Sequence, residues 1–221
     1  MTEPLELEVF VDASCRYSHY GLVTIRRVLD ELAADPAVPA FRPSWRFLRL
    51  YDLEPPEGLP TAERSARSGK SSAEVAADKA DLRARAAAQG VRIDETRYAF
   101  LGNPLLAHRL MTMCRDEPGT DVPELWALAF VVWSAGFTRG VRTDILADLR
   151  KAVEDGGLEV PARIWERLAD PDDHLTETLA DRVYAQSIGL DGVPRLRING
   201  VIVPAWHPLA EVMADVRAAL G

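Results

Sequence analysis

Cys15 lies in the run Val9-Phe10-Val11-Asp12-Ala13-Ser14-Cys15-Arg16-Tyr17-Ser18, where an apolar strand gives way to a helix. A thiol at a helix N-terminus faces unpaired backbone N–H groups and the positive end of the helix dipole, and both favour the thiolate. Arg16 and His19 stand beside it, and a neighbouring cation lowers a cysteine pKa further. The sequence therefore predicts that Cys15 ionises near neutral pH. Ser18, one turn on, can donate its hydroxyl proton to the sulfur. A dithiol protein needs a second thiol at that position, because it attacks the mixed disulfide and releases the substrate. Cys15 with Ser18 instead makes a single-thiol site that depends on an outside thiol to close a cycle. A buried, inert cysteine is the competing reading; the polar flanks and the turn position speak for the reactive one.

Other residue types with chemical potential are fewer. Gly192-Val193-Pro194 precedes a strand, where proline is tolerated for lack of an N–H; a cis Val193-Pro194 bond would fix the backbone before it. Cys114, the second of two cysteines, reads as a core thiol, with a bond to Cys15 conceivable. His207 beside Trp206 either lines a cleft or simply begins the last helix. Cys15 and His19 at i, i+4 are too few ligands for zinc. Ser68-Gly69-Lys70-Ser71 lacks the upstream glycine of a phosphate loop, Arg64 standing there, and reads as a solvated linker.

The elements that must position these groups follow from periodicity. Leu5 to Val11 alternates and then turns continuously apolar, as a strand in a covered sheet does. From Ser18, Leu22, Ile25, Leu29 and Leu32 keep helical spacing up to Asp35-Pro36. Phe41, Trp45 and Phe47 suggest a second strand, completing a βαβ opening. Tyr51 to Ser72, rich in Pro, Gly and Ser, reads as an exposed, mobile connection. From Ser72 to Ser187 helical patterns dominate: Ala73 to Gln89, Pro104 to Arg115, a stretch after Asp121-Val122-Pro123-Glu124, which resembles a capping box, and three more around Leu149, Ile164 and Leu179. Strands then return on either side of Asn199-Gly200, the strongest local hairpin signal, and a helix from Pro208 to Leu220 ends the chain. The reading is an α/β, thioredoxin-like fold interrupted by an all-helical insertion: residues 1–71 and 188–221 form the thioredoxin-like part and 72–187 the insert.

The 221 residues, 48% of them hydrophobic, are ample for a buried core. The net charge of -8 argues against nucleic acid or an anionic membrane as partner, since both require a basic face. No leader or spanning segment is apparent, so a cytoplasmic location is expected. Lysine occurs only at Lys70, Lys79 and Lys151.

Cys15-x-x-Ser18 after the first strand, a helical insert, and Val193-Pro194 before the Asn-Gly hairpin together resemble the DsbA-like branch of the thioredoxin superfamily over nearly the whole chain. Asn103-Pro104-Leu105-Leu106-Ala107-His108-Arg109-Leu110 is similar to the Asn-x-x-x-Ala-x-Arg stretch of its cytoplasmic subgroup, which holds FrnE-like proteins, 2-hydroxychromene-2-carboxylate isomerases and kappa-class glutathione transferases. Dithiol members carry Cys-Pro-Trp-Cys, and the isomerases and transferases Ser-Pro-Tyr-Ser. Cys15-Arg16-Tyr17-Ser18 is a hybrid, with Arg16 replacing the proline of both. At Ala205-Trp206-His207-Pro208 the chain departs from the Gly-Ser-Asp-type segment of glutathione-binding members. The resemblance implies catalysis by Cys15 and Ser18 in a cleft between the two units, with Arg16, Tyr17, His19, Asn103, Arg109, Val193, Pro194 and His207 around a substrate or a low-molecular-weight thiol such as glutathione or mycothiol. Three functions are compatible with it: monothiol exchange, a thiol-dependent isomerase or transferase acting on a small electrophile, and a binding module in which Cys15 is idle. No tightly bound cofactor and no metal are expected, and a homodimer is left open.

Overall fold

A computed structural model describes residues 5–49, 57–117 and 121–221. Strand β1 (Leu7–Val11) is buried at every residue, which explains its continuous apolar run: it is internal to a sheet of order β2-β1-β5-β6 and covered on both faces. β2 (Ser44–Phe47) runs parallel to it, with Val9 opposite Trp45 and Val11 opposite Phe47. A parallel pair needs a crossover, and α1 (Arg16–Ala34) supplies it, burying Leu22, Ile25, Val28 and Leu32 at helical spacing. β5 (Arg195–Ile198) pairs antiparallel with β1 on its other side and with β6 (Val201–Pro204) in the hairpin. Asn199 and Gly200 have φ of 47° and 88°, the positive values a type I′ turn demands. The last helix is Leu209–Leu220.

Between β2 and β5 lie β3 (Gly58–Pro60), α2 (Thr61–Arg67), α3 (Ser72–Ala88), β4 (Phe100–Gly102), α4 (Leu105–Asp116), α5 (Leu125–Ser134), a π-helical turn (Ala135–Arg139), α6 (Leu146–Asp155), α7 (Ala162–Leu168) and α8 (Leu175–Ser187), so the C-terminal helix is α9. Three expectations need correction here. The connection read as mobile is largely folded: residues 51–56 lie outside the described residues, but β3 pairs with β4 in a small antiparallel sheet and α2 follows at once. Three-residue strands are too short for alternation to reveal them, and β4 also means that the intervening unit is not purely helical. The capping box expected at Asp121 to Glu124 does not form. Glu124 precedes α5 without a side-chain cap and reaches instead to Arg26 on α1, 2.5 Å away. The box is at Ser71 and Glu74, where Ser71 Oγ accepts from the Glu74 N–H and the Glu74 carboxylate accepts from the Ser71 N–H.

One apolar cluster joins the sheet to the intervening helices, with Val9 and Leu22 packed in the same core as Leu110, Trp133, Leu149, Ile164 and Val216. Among the described residues no helix is long and apolar enough to cross a membrane.

Candidate active site

Cys15 caps α1 from the β1–α1 turn, and the turn is held at every peptide. The Cys15 N–H donates to the Asp12 carbonyl (3.0 Å), and Trp133 Nε1 of α5 donates to the same oxygen (2.9 Å). The Asp12 N–H donates to Ser18 Oγ (3.2 Å), and the Ala13 N–H donates to His108 Nε2 of α4 (2.9 Å). The Asp12 carboxylate accepts from the Ser14 N–H (2.8 Å) and hydroxyl (2.9 Å) and lies 3.3 Å from His108 Nε2. Because that nitrogen accepts the Ala13 N–H, the neutral ring carries its proton on Nδ1. Helices far along the chain thus fix the Cys15 turn.

The opposite wall is the loop before β5. Cys15 Sγ lies 3.6 Å from the Val193 carbonyl oxygen, and the Val193-Pro194 bond is cis. α1 approaches this loop through Gly21, where a Cβ would stand 2.4 Å from Pro194 Cγ and 3.2 Å from the Ala205 carbonyl oxygen. Beneath the loop the Arg195 guanidinium pairs with Asp191 (3.0 Å) and covers the Trp206 ring at 3.9 Å.

A cleft of about 400 Å³ opens above the sulfur, walled by the β1–α1 turn, Gly192 and Val193, the helices α2 and α3, and Glu95 with Tyr98. Arg16 and Tyr17 line it, as expected; Arg16 reaches across to Glu95 at 3.5 Å. Ser68 and Lys70, read from sequence as solvated linker, also line it. Tyr98 is held edge-on against Phe137 of the π-helical turn, ring centroids 4.8 Å apart, and burial pushes its phenol up and keeps it protonated.

The acidity of Cys15 is the main electrostatic correction. Its pKa is raised, first by burial and then by the Asp12 carboxylate; the Ser18 N–H and hydroxyl and the Tyr17 N–H lower it without overcoming those effects. Desolvation of the sulfur outweighs the helix N-terminus. The cations expected to help do not: Arg16 is turned to Glu95, and His19 points into the core.

His19 is 1% exposed, with Nε2 3.0 Å from Ser134 Oγ and its ring stacked on Phe137. It does not line the cleft. Burial lowers its pKa to about 4, against about 6.5 when unfolded. As pH falls the unfolded chain takes up this proton first, so stability is complete above pH 6.5 and declines through the window down to about 4, by about 3 kcal/mol in all. Urea unfolding at neutral and at acid pH should show this loss in the natural protein and a smaller one in His19→Phe; equal losses would place the acid sensitivity elsewhere.

Three further expected residues also fall away from the cleft. Asn103 Oδ1 accepts from the Leu105 N–H (3.0 Å) and from Arg49 (3.3 Å), serving the start of α4. Arg109, buried, donates to the carbonyls of Asp173 (2.8 Å), Leu168 (3.5 Å) and Asp170, clamping the α7–α8 connection. His207 lies with its ring tilted against that of Trp206 and faces Glu211 at 3.5 Å, at the start of α9. Cys114 is buried, its thiol pushed up to about 12 by burial, and both cysteines are free. Asp12, His108, Tyr98 and the cations of α2 and α3 were not picked out from the sequence. Asp12 and Ser14 form a local Asx pattern visible beside Cys15; the others arrive from distant segments without a local signal. No cluster of three or more potential metal ligands occurs among the described residues.

No family model matches the sequence, and no curated protein matches it. Solved structures do match in shape. A probable DsbA oxidoreductase from Streptomyces coelicolor superposes with a TM-score of 0.81 at 22% identity, over 98% of this chain and 90% of that one. A 2-hydroxychromene-2-carboxylate isomerase superposes with a TM-score of 0.64 at 11% identity, over 97% and 95% respectively.

Proposed function

For a chain with the DsbA-like thioredoxin fold, we propose that Cys15 is the single nucleophile of a thiol-disulfide exchange enzyme, with Ser18 standing where a resolving thiol would be. What supports the reading most is the position of Cys15 Sγ: at the cap of α1, 3.6 Å from the Val193 carbonyl, and open to the cleft. Arg16, Tyr17 and Val193 bound the space for the partner, with Pro194 packed behind against Gly21. The Cys15 thiolate attacks a disulfide, a mixed disulfide forms, and an external low-molecular-weight thiol such as glutathione or mycothiol resolves it. A reducing, thiol-rich compartment, the cytoplasm, suits that dependence. The raised thiol pKa leaves a small thiolate population at neutral pH, but each thiolate is the more nucleophilic for it.

A second reading draws on the same raised pKa. A thiol that stays protonated can serve as a hydrogen-bond donor beside the sulfur of a bound thiol cofactor, as an isomerase or transferase acting on a small electrophile would use it. Incubation with a small disulfide followed by peptide mass analysis separates the two. Monothiol exchange gives an adduct on Cys15 that external thiol removes and that Cys15→Ser cannot form. Absence of the adduct, with turnover of an electrophile only when a thiol cofactor is supplied, would establish the second reading instead.

A further inference from the structure

Seven charged residues line the Cys15 cleft: Asp12, Asp78 and Glu95, and Arg16, Arg64, Lys70 and Lys79. Every carboxylate is already engaged. Asp12 accepts from the Ser14 N–H and hydroxyl, Asp78 is held by Lys70, and Glu95 by Arg16 at 3.5 Å and by Arg83 at 2.9 Å. Arg64 on α2 and the half-buried Lys79 on α3 remain, with no ion pair or hydrogen bond among the described residues. Unpaired surface cations are ordinary in themselves. These two are not ordinary in their setting: the chain carries a net charge of -8 and only three lysines, of which two line this cavity. The cleft therefore has an excess of positive charge inside an acidic protein, and a concave wall focuses that field on whatever enters.

We propose that Arg64 and Lys79 form an anion subsite that holds the carboxylate of a small disulfide while one of its sulfurs meets Cys15. This rests on the reading of Cys15 as nucleophile and adds the class of substrate. The cavity of about 400 Å³ is of a size that takes a small molecule. The Cys15 thiolate attacks one sulfur of R–S–S–R. The S–S bond breaks, Cys15–S–S–R forms, and the leaving thiolate takes up the proton that Cys15 gave up; the Cys15 sulfur is oxidised and the leaving sulfur reduced. A carboxylate on R is drawn towards Arg64 and Lys79, and a cationic R is repelled.

The test compares the rates at which Cys15 reacts with dithiodiglycolate, its uncharged diamide, and the dication cystamine, each divided by the rate of the same reagent with free β-mercaptoethanol. At low ionic strength the natural protein should favour the dianion over the diamide by about tenfold and disfavour cystamine, and salt should compress the differences. In an Arg64→Gln, Lys79→Gln double variant the ratio should fall towards one, whereas Lys151→Ala, on α6 outside the cleft, should keep it. A ratio near or below one in the natural protein, or a high ratio that survives the double substitution, overturns the subsite while leaving Cys15 as nucleophile. Failure of all three reagents, the uncharged one included, to react at Cys15 overturns the exchange reading and the subsite with it.

Discussion

Iodoacetamide should label Cys15 and leave Cys114 untouched, with a rate at Cys15 that climbs about tenfold for each pH unit between 6 and 8. Both halves of this result come from the surroundings of the two sulfurs. Cys114 is sealed in the core with its thiol pushed up to about 12, so its labelling at pH 8 should be at least about a hundredfold slower. Cys15 opens to the cleft, yet burial and the Asp12 carboxylate hold its pKa above the ordinary range. Below its pKa the thiolate fraction rises tenfold per unit, and no plateau should appear before pH 8. Asp12→Asn removes the negative charge and should raise the rate at pH 7. A plateau near pH 6 would mean that the helix N-terminus wins over burial after all, and labelling of Cys114 first would remove the proposed site.

Ser18→Cys should give the Cys15 site the second thiol that dithiol chemistry requires and raise dithiol turnover. Ser18 is fully buried, one turn beyond Cys15, and its hydroxyl interacts with the Cys15 sulfur and the Asp12 N–H. A thiol at this position is placed to attack a mixed disulfide on Cys15, so the outside thiol is no longer needed. The variant should reduce insulin with dithiothreitol at about ten times the rate of the natural protein or more. It should lose about 1 kcal/mol of stability with the hydroxyl's hydrogen bond. Efficient turnover of dithiols by the natural protein without added thiol would show that Ser18 is not what limits it. A variant in which mass analysis finds both thiols free under oxidising conditions would show that the turn cannot accept the short disulfide loop.

The elements around the site were legible where a pattern has length. β1 was visible because an internal strand is apolar throughout, α1 because Leu22, Ile25 and Leu32 repeat at helical spacing, and the hairpin because Asn199 and Gly200 must take positive φ. β3 and β4, at three residues each, were not. Within the site, Cys15, Arg16, Tyr17 and Val193 were found because each is adjacent to a turn that the sequence marks. His19 was misplaced although its spacing from Cys15 was right: spacing shows which residues share a helix face but not whether that face meets a cleft or a core, and here Phe130 and Phe137 cover it. Arg109 and Asn103 look functional by residue type, yet they hold backbone at helix ends. Arg64, Lys79 and Tyr98 belong to segments that reach the cleft only through tertiary packing, which no local pattern encodes.

The anchoring of the Cys15 turn bears on how this chain could be cut or recombined. The Asp12 carbonyl is capped by Trp133 and the Ala13 N–H by His108, so α4 and α5 are not an accessory lid that could be excised to leave a minimal redox scaffold. Removal would take a partner from each end of the Asp12–Ala13 peptide, in the turn that aims the sulfur. A graft of the first strand and helix onto another βαβ framework would carry Cys15 across without the struts that orient it. Exchange of the whole intervening unit between chains should preserve reactivity only where the donor offers an indole and an imidazole at these two places.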